Sequence, residues 1–231
     1  MSQLKKVSAI LFDLNGTLVY KGNTKEFEEV SDYLFYRGFE VSPQQFGAAS
    51  SFVSLIDYPK YGYRTLRTYL ARVFQRLRLK VDDETLNHVI QLEMQNQYIL
   101  YPDALEAVKR ANKLGFKTAV VTTIAHFRFD VAIRPIRNYL DLIMTGYEVG
   151  VDKSHPKMYL KVLEILHCKA SEAIMIGDEM SLDFLLPKRL GINAVLLDRE
   201  GGKEELPADT VVSDLNEAVD FVLTHFTDEY H

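Results

Sequence analysis

A largely apolar run from Val7 to Phe12 stops at a carboxylate, Asp13, and a Gly16-Thr17 turn follows. Such a run predicts a strand buried on both faces, the kind found inside a parallel sheet. From Thr24 to about Tyr98 the spacing becomes helical. Phe27, Val30, Leu34 and Phe35 recur at three- and four-residue intervals, as do Leu66, Tyr69, Leu70, Val73 and Leu77, then Leu86, Val89, Ile90 and Met94. Gly38, Ser42-Pro43, Pro59, Gly62 and Asp82-Asp83 break the pattern. It predicts about four helices and no strand in this stretch.

Beyond Tyr101 strands and helices alternate. Pro102-Asp103 opens a helix to Leu114, Gly115 closes it, and Lys117 to Val121 reads as a strand ending at Thr122-Thr123. A helix around Phe127 to Tyr139, a strand near Leu142 to Met144 and a helix from Pro156 to Leu166 follow. Ala173 to Ile176 is the next strand, ending at Gly177-Asp178. A helix up to Gly191, strands at Ala194 to Leu197 and Thr210 to Val212, and a helix from Leu215 to Phe226 complete the series. The alternation predicts an α/β fold, a Rossmann-like doubly wound parallel sheet with helices on both faces. The Val7 strand belongs to that sheet. The core is therefore expected from residues 1–19 and 99–231, with a helical cap, residues 20–98, inserted.

The chain of 231 residues is long enough for such a core and an insertion. Its net charge of −5 gives no reason to expect nucleic acid as a partner. Cys168 is the single cysteine, which rules out an internal disulfide and points to a reducing, cytoplasmic setting. No apolar run approaches the roughly 18 residues of a membrane span. Oligomeric state leaves no signature in the sequence.

Parallel strands put their carboxyl ends on one edge, so Asp13, Thr122 and Asp178 are expected to converge there. A carboxylate at that edge can act as a nucleophile or a metal ligand. Taken alone, Asp13 reads equally well as a turn carboxylate closing a core strand. Lys153 precedes the helix opened by Pro156 and adds a cation for an anionic group, and Asp183 adds an acid near Asp178.

This ordered set resembles the haloacid dehalogenase-like hydrolase superfamily, most of whose members are magnesium-dependent phosphatases. The first motif of that family appears as Asp13-Leu14-Asn15-Gly16-Thr17-Leu18 and the second as Thr122. The third appears as Lys153 with Pro156 and Tyr159, and the fourth as Gly177-Asp178-Glu179-Met180-Ser181-Leu182-Asp183. The resemblance implies Asp13 as nucleophile, forming an aspartyl-phosphate, and Thr122, Thr123 and Lys153 as the phosphate-binding set. It implies Mg²⁺ held by Asp13, Asp178 and the Asn15 carbonyl, with Asp183 outside them. A small phosphorylated substrate follows, with neither nucleic acid nor membrane as partner.

One position departs from that pattern. Family phosphatases carry an aspartate two residues after the nucleophile as general acid and base, and here it is Asn15. An amide cannot exchange that proton, and losing general acid–base help costs roughly 10²–10⁴ in rate. Asn15 fits a leaving group that needs little protonation, a protein that binds rather than turns over, or an engineered Asp→Asn exchange. A non-catalytic phosphoester or metal binder is the second reading and a 2-haloacid dehalogenase the third. Asn15 and Gly177-Asp178 count against the third.

Three further features carry less. Lys60 to Lys80 holds seven basic residues and no acid, read as a solvated helix face before a substrate-steering one. Tyr58, Tyr61 and Tyr63 read as packing residues before pocket lining. Pro187 predicts either a kinked helix after the fourth motif or a helix that starts only there.

Overall fold

The computed structural model describes residues 7–23, 25–202 and 210–226. Thr24, the expected start of the helical stretch, and residues 1–6 of the expected core lie outside the described residues.

Six parallel strands form one sheet: β1 (Ala9–Phe12), β4 (Lys117–Thr122), β5 (Leu142–Thr145), β6 (Ala173–Gly177), β7 (Asn193–Leu197) and β8 (Val211–Val212). Their order is β5-β4-β1-β6-β7-β8. The fold is the α/β, doubly wound one expected. From β1 the chain builds outward through β4 to β5, then returns to the other side of β1 for β6, β7 and β8. The direction of winding thus reverses at β1, and the crevice at its carboxyl end is where open sheets of this kind hold ligands.

Strand residues alternate strictly between two cores. Ile10, Phe12, Val120, Ile174, Ile176, Val195 and Leu197 face one side. There α6 (Ala104–Lys113) and α11 (Leu215–Phe226) cover them. Ala9, Leu11, Ala119, Val121, Met175, Ala194 and Leu196 face the other, against α9 (Lys157–Leu166). Burial on both faces explains why these strands read as unbroken apolar runs.

Between residues 25 and 95 lie α1 (Glu26–Tyr36), α2 (Pro43–Phe52), α3 (Tyr58–Tyr61), α4 (Leu66–Arg76) and α5 (Asp83–Gln95). A π-helical turn, Val53–Asp57, joins α2 to α3, so these make one bent rod. The segment has its own core of Val30, Leu34, Phe46, Val53, Tyr69, Leu70, Val73, Phe74 and Val89.

Two expectations need correction, and the alternatives at Pro187 are decided. The expected helical insertion, residues 20–98, begins and ends in strand, and Tyr98 is not helical. The strands β2 (Val19–Lys21) and β3 (Tyr98–Leu100) pair antiparallel, with Tyr20 opposite Ile99. Three residues are too few to show a period of two, so the ribbon is invisible in the pattern. Phe127 to Tyr139 is not one helix. Only α7 (His126–Phe129) is α-helical, with turns and a 3-10 turn at Arg137–Tyr139 after it. Pro135 removes an amide donor and disfavours the α conformation at Arg134. After the fourth motif the helix begins as a π-turn, Met180–Leu185, and becomes α-helical as α10 (Leu186–Arg189). It therefore does not wait for Pro187. No helix among the described residues is long and apolar enough to cross a membrane.

Candidate active site

The register sets the level of the site. Phe12 pairs with Val120 on one side and Ile176 on the other. Asp13 follows at once, its amide donating to the Ile176 carbonyl at 2.9 Å. Thr122 and Asp178 then stand one residue further along their own strands. Together with Asn15, Thr123, Lys153 and Asp183, these residues line a cleft of about 330 Å³. Every site residue expected from the sequence is thus brought to one place.

The loop after Asp13 is tight. Gly16 donates to the Val19 carbonyl at 2.7 Å and Val19 to the Leu14 carbonyl at 2.8 Å. Gly16 adopts φ +83°, and a Cβ there would lie 2.3 Å from an Asp178 carboxylate oxygen. Glycine is required both by conformation and by this close approach. The buried Thr17 hydroxyl donates to Asp178 Oδ1 at 3.5 Å. Asn15, between the two loop arms, is exposed.

Asp13, Lys153 and Asp183 are 8 %, 3 % and 0 % exposed. The Lys153 ammonium donates to Asp13 Oδ1 and lies 2.5 Å from Asp183 Oδ1. The same Asp183 oxygen lacks a well-aligned hydrogen bond, while Oδ2 accepts from the Glu179 amide at 3.1 Å. Burial pushes the Asp13 carboxyl up to about 7, with Lys153 pulling down and Asp183 and Asp178 pushing further up. Burial works to lower the Lys153 ammonium, but Asp13, Asp183 and Tyr159 outweigh it and hold it above its usual value.

Oxygens of Asp13, Asp178 and Asp183 lie within 4.8 Å of one another. Two of these carboxylates, Asp13 and Asp183, pair with the one ammonium, so the ionised set keeps an excess of negative charge. Hard oxygen donors crowded within 4.8 Å and that excess charge fit a divalent cation such as Mg²⁺. Across the cleft Thr122 Oγ1 accepts from the Ile124 amide at 3.1 Å, which leaves its own proton to point elsewhere. This is the donor an anion between Asp13 and Thr122 would meet.

A model of the haloacid dehalogenase-like hydrolases matches residues 7–191. The chain belongs to that family. Pyrophosphatase PpaX of Bacillus cereus (strain Q1) is 25% identical over 185 residues, 75% of this chain and 75% of its own. Glyceraldehyde 3-phosphate phosphatase of Methanopyrus kandleri is 29% identical over 101 residues, 43% of each chain. The crystal structure of a HAD phosphatase from Thermococcus onnurineus superposes with a TM-score of 0.66 at 24% identity. It covers 96% of this chain and 100% of the other.

Several contacts of this family member's site were not legible in its sequence. Tyr98, on the unforeseen ribbon, lines the cleft with Ile124, Glu179 and Leu182. The buried Tyr159 hydroxyl donates to the Leu182 carbonyl at 2.5 Å. Tyr58, Tyr61 and Tyr63 stay away from the cleft lining. Tyr58 shares a hydrogen bond with Thr145 at 3.2 Å, and Tyr63 packs edge-on to Tyr69. Arg67 and Arg72 of the basic run are spent on Asp83 and Asp57. They support the reading of a solvated helix face.

Proposed function

We propose that this hydrolase is a Mg²⁺-dependent phosphoric monoester hydrolase working through an aspartyl-phosphate on Asp13, slowed by Asn15. The observation that carries the reading is the meeting of Asp13, Lys153, Asp178 and Asp183 at the carboxyl end of the central strand. The phosphatase names of two relatives support a small phosphorylated substrate. Residues 20–98 would act as a cap over the cleft, with Tyr98 at its edge. A single cysteine suits a reducing, cytoplasmic setting.

The Asp13 carboxylate attacks phosphorus while the bond to the leaving oxygen breaks, and that oxygen departs with the electron pair. Water then attacks the aspartyl-phosphate, the bond to Asp13 breaks, and inorganic phosphate is released. Thr122, with Thr123 beside it, orients the phosphoryl oxygens. Lys153 supplies positive charge and holds Asp13 in place. Mg²⁺, held by the Asp13 and Asp178 carboxylates and the Asn15 carbonyl with Asp183 behind them, would neutralise phosphoryl charge when bound. Asn15 can hydrogen-bond to a leaving group but cannot give it a proton. The missing acid–base step is worth roughly 10²–10⁴ in rate, or about 3–5 kcal/mol of barrier.

Asn15 itself favours a second reading, a phosphoester or metal binder without turnover. The third, a 2-haloacid dehalogenase, is disfavoured by Asp178 within the carboxylate cluster. Incubation with p-nitrophenyl phosphate, with and without Mg²⁺, separates the first two. Metal-dependent release of nitrophenol that disappears in Asp13→Asn is the expected result. Mg²⁺ binding with no nitrophenol from the unaltered chain would establish the binding reading instead.

A further inference from the structure

Pro187 and Tyr159, far apart in sequence, solve one backbone problem next to the site. In the π-turn Met180–Leu185 the backbone ladder widens to five-residue steps, the Leu186 amide donating to the Ser181 carbonyl. The next rung of that ladder would run from residue 187 to the Leu182 carbonyl. Residue 187 is proline and has no N–H. A half-buried carbonyl deprived of its donor is costly unless another group takes it. The Tyr159 hydroxyl takes it, donating to Leu182 O at 2.5 Å from the fully buried face of α9.

This bond ties two parts of the site together. Tyr159 lies on the helix that follows the Lys153 loop, and Leu182 immediately precedes Asp183. Asp183 is enclosed on every side. Its amide donates to the Glu179 carbonyl at 2.8 Å, its Oδ2 accepts from Glu179, and its Oδ1 faces Lys153. A Cβ on Gly177 would come within 2.3 Å of its Cγ. In so tight a space, a small shift of the Leu182 backbone moves the Asp183 carboxylate relative to Asp13 and Asp178. Leu182 also lines the cleft, so the same shift moves its wall.

We infer that Tyr159 is a positioning residue: it takes up the carbonyl that Pro187 leaves open and so sets Asp183 against Lys153 and the cation-binding carboxylates. The inference rests on the proposed cation-dependent reading of the cleft. Outer groups that orient metal-binding carboxylates typically govern about 10–100-fold in metal affinity.

The test uses Tyr159→Phe, which keeps the ring and removes only the donor. Calorimetric titration with Mg²⁺ should show affinity reduced by about 10–100-fold, with the midpoint of thermal unfolding lowered by only a few degrees. Hydrogen exchange should accelerate in the peptide covering residues 179–190 and not in the sheet. Pro187→Ala supplies an amide, so the double variant Tyr159→Phe, Pro187→Ala should regain much of the lost affinity. Unchanged Mg²⁺ affinity in Tyr159→Phe would overturn the inference, even if exchange accelerates, because the bond would then serve the fold alone. So would a double variant no better than Tyr159→Phe. If the unaltered chain binds Mg²⁺ but releases no phosphate from any ester, while Tyr159→Phe binds the metal more weakly, the hydrolase reading falls and the positioning role stands.

Discussion

At Asn15 the side chain ends in an amide two residues beyond Asp13, exposed at the cleft and carried by a loop that Gly16 closes. Its backbone can serve a cation while its side chain cannot serve a proton. Asn15→Asp should therefore raise turnover of alkyl phosphates by an amount approaching 10²–10⁴, roughly the value of general acid–base catalysis. Aryl and acyl phosphates, whose oxygens leave readily, should gain less. Release of inorganic phosphate from a panel of esters measures this. An Asn-Gly pair can deamidate, so mass spectrometry of that peptide must accompany each assay. Equal, slow turnover by both proteins across the panel would mean that the missing acid does not limit the reaction. Asp13→Asn should abolish turnover entirely, because an amide oxygen is a poor nucleophile toward phosphorus.

Among the elements, α8 (Gly146–Val149) shows how a short helix is held beside the site. Glu148 Oε2 accepts from the Thr145 amide at 2.8 Å and from the Thr145 hydroxyl, and His126 Nε2 lies 3.0 Å from Oε1. Burial works to raise the Glu148 carboxyl, but the hydrogen bonds from His126 and Thr145 outweigh it and hold it below its usual 4.5. A carboxyl depressed in the folded state adds stability above its unfolded pKa, and the contribution is lost as pH falls through the folded value. Glu148→Ala should thus cost about 1 kcal/mol near pH 7, the scale of a helix-capping interaction. The gap from the unaltered chain should close as pH drops below 4.5. Urea unfolding at pH 7 and pH 3.5 reads both values. A difference of the same size at each pH would exclude the carboxylate as its source.

Over the whole molecule, the helical segment and the sheet meet through charge as well as the ribbon. Arg128, within α7, donates to Glu93 of α5 at 2.8 Å, with side chains 14% and 2% exposed. Its guanidinium also lies 4.7 Å from the centre of the Tyr69 ring. Removing one member of such a pair strands a buried charge, at a cost of about 3–5 kcal/mol. Arg128→Ala should lose that much in chemical unfolding, and Arg128→Ala with Glu93→Gln should lose less than the sum of the separate effects. A loss below about 1 kcal/mol, the scale of a surface pair, would show that water reaches this contact.

Much of this arrangement is local and was legible in the chain. A short apolar run bounded by turn signals reads as a strand covered on both sides, and parallel strands share one carboxyl edge. Asp13, Thr122 and Asp178 therefore had to converge, whatever the loops did. The order of the motifs placed Lys153 and Asp183 with them. Short or distant pairings were not legible, because their stability comes from contacts that neighbouring residues do not encode. Val19–Lys21 becomes a strand only because Tyr98–Leu100 returns beside it. Arg128 is an unpartnered helix cation in the sequence until α5 brings Glu93 to it. Tyr159 stands beside the third motif in the sequence, but its partner appears only when the π-turn, cut short by Pro187, presents it with an open carbonyl. Side-chain pattern thus determined which groups share an edge. Packing across the loops decided which of them touch, since only in the folded chain does a buried polar atom have to find its partner.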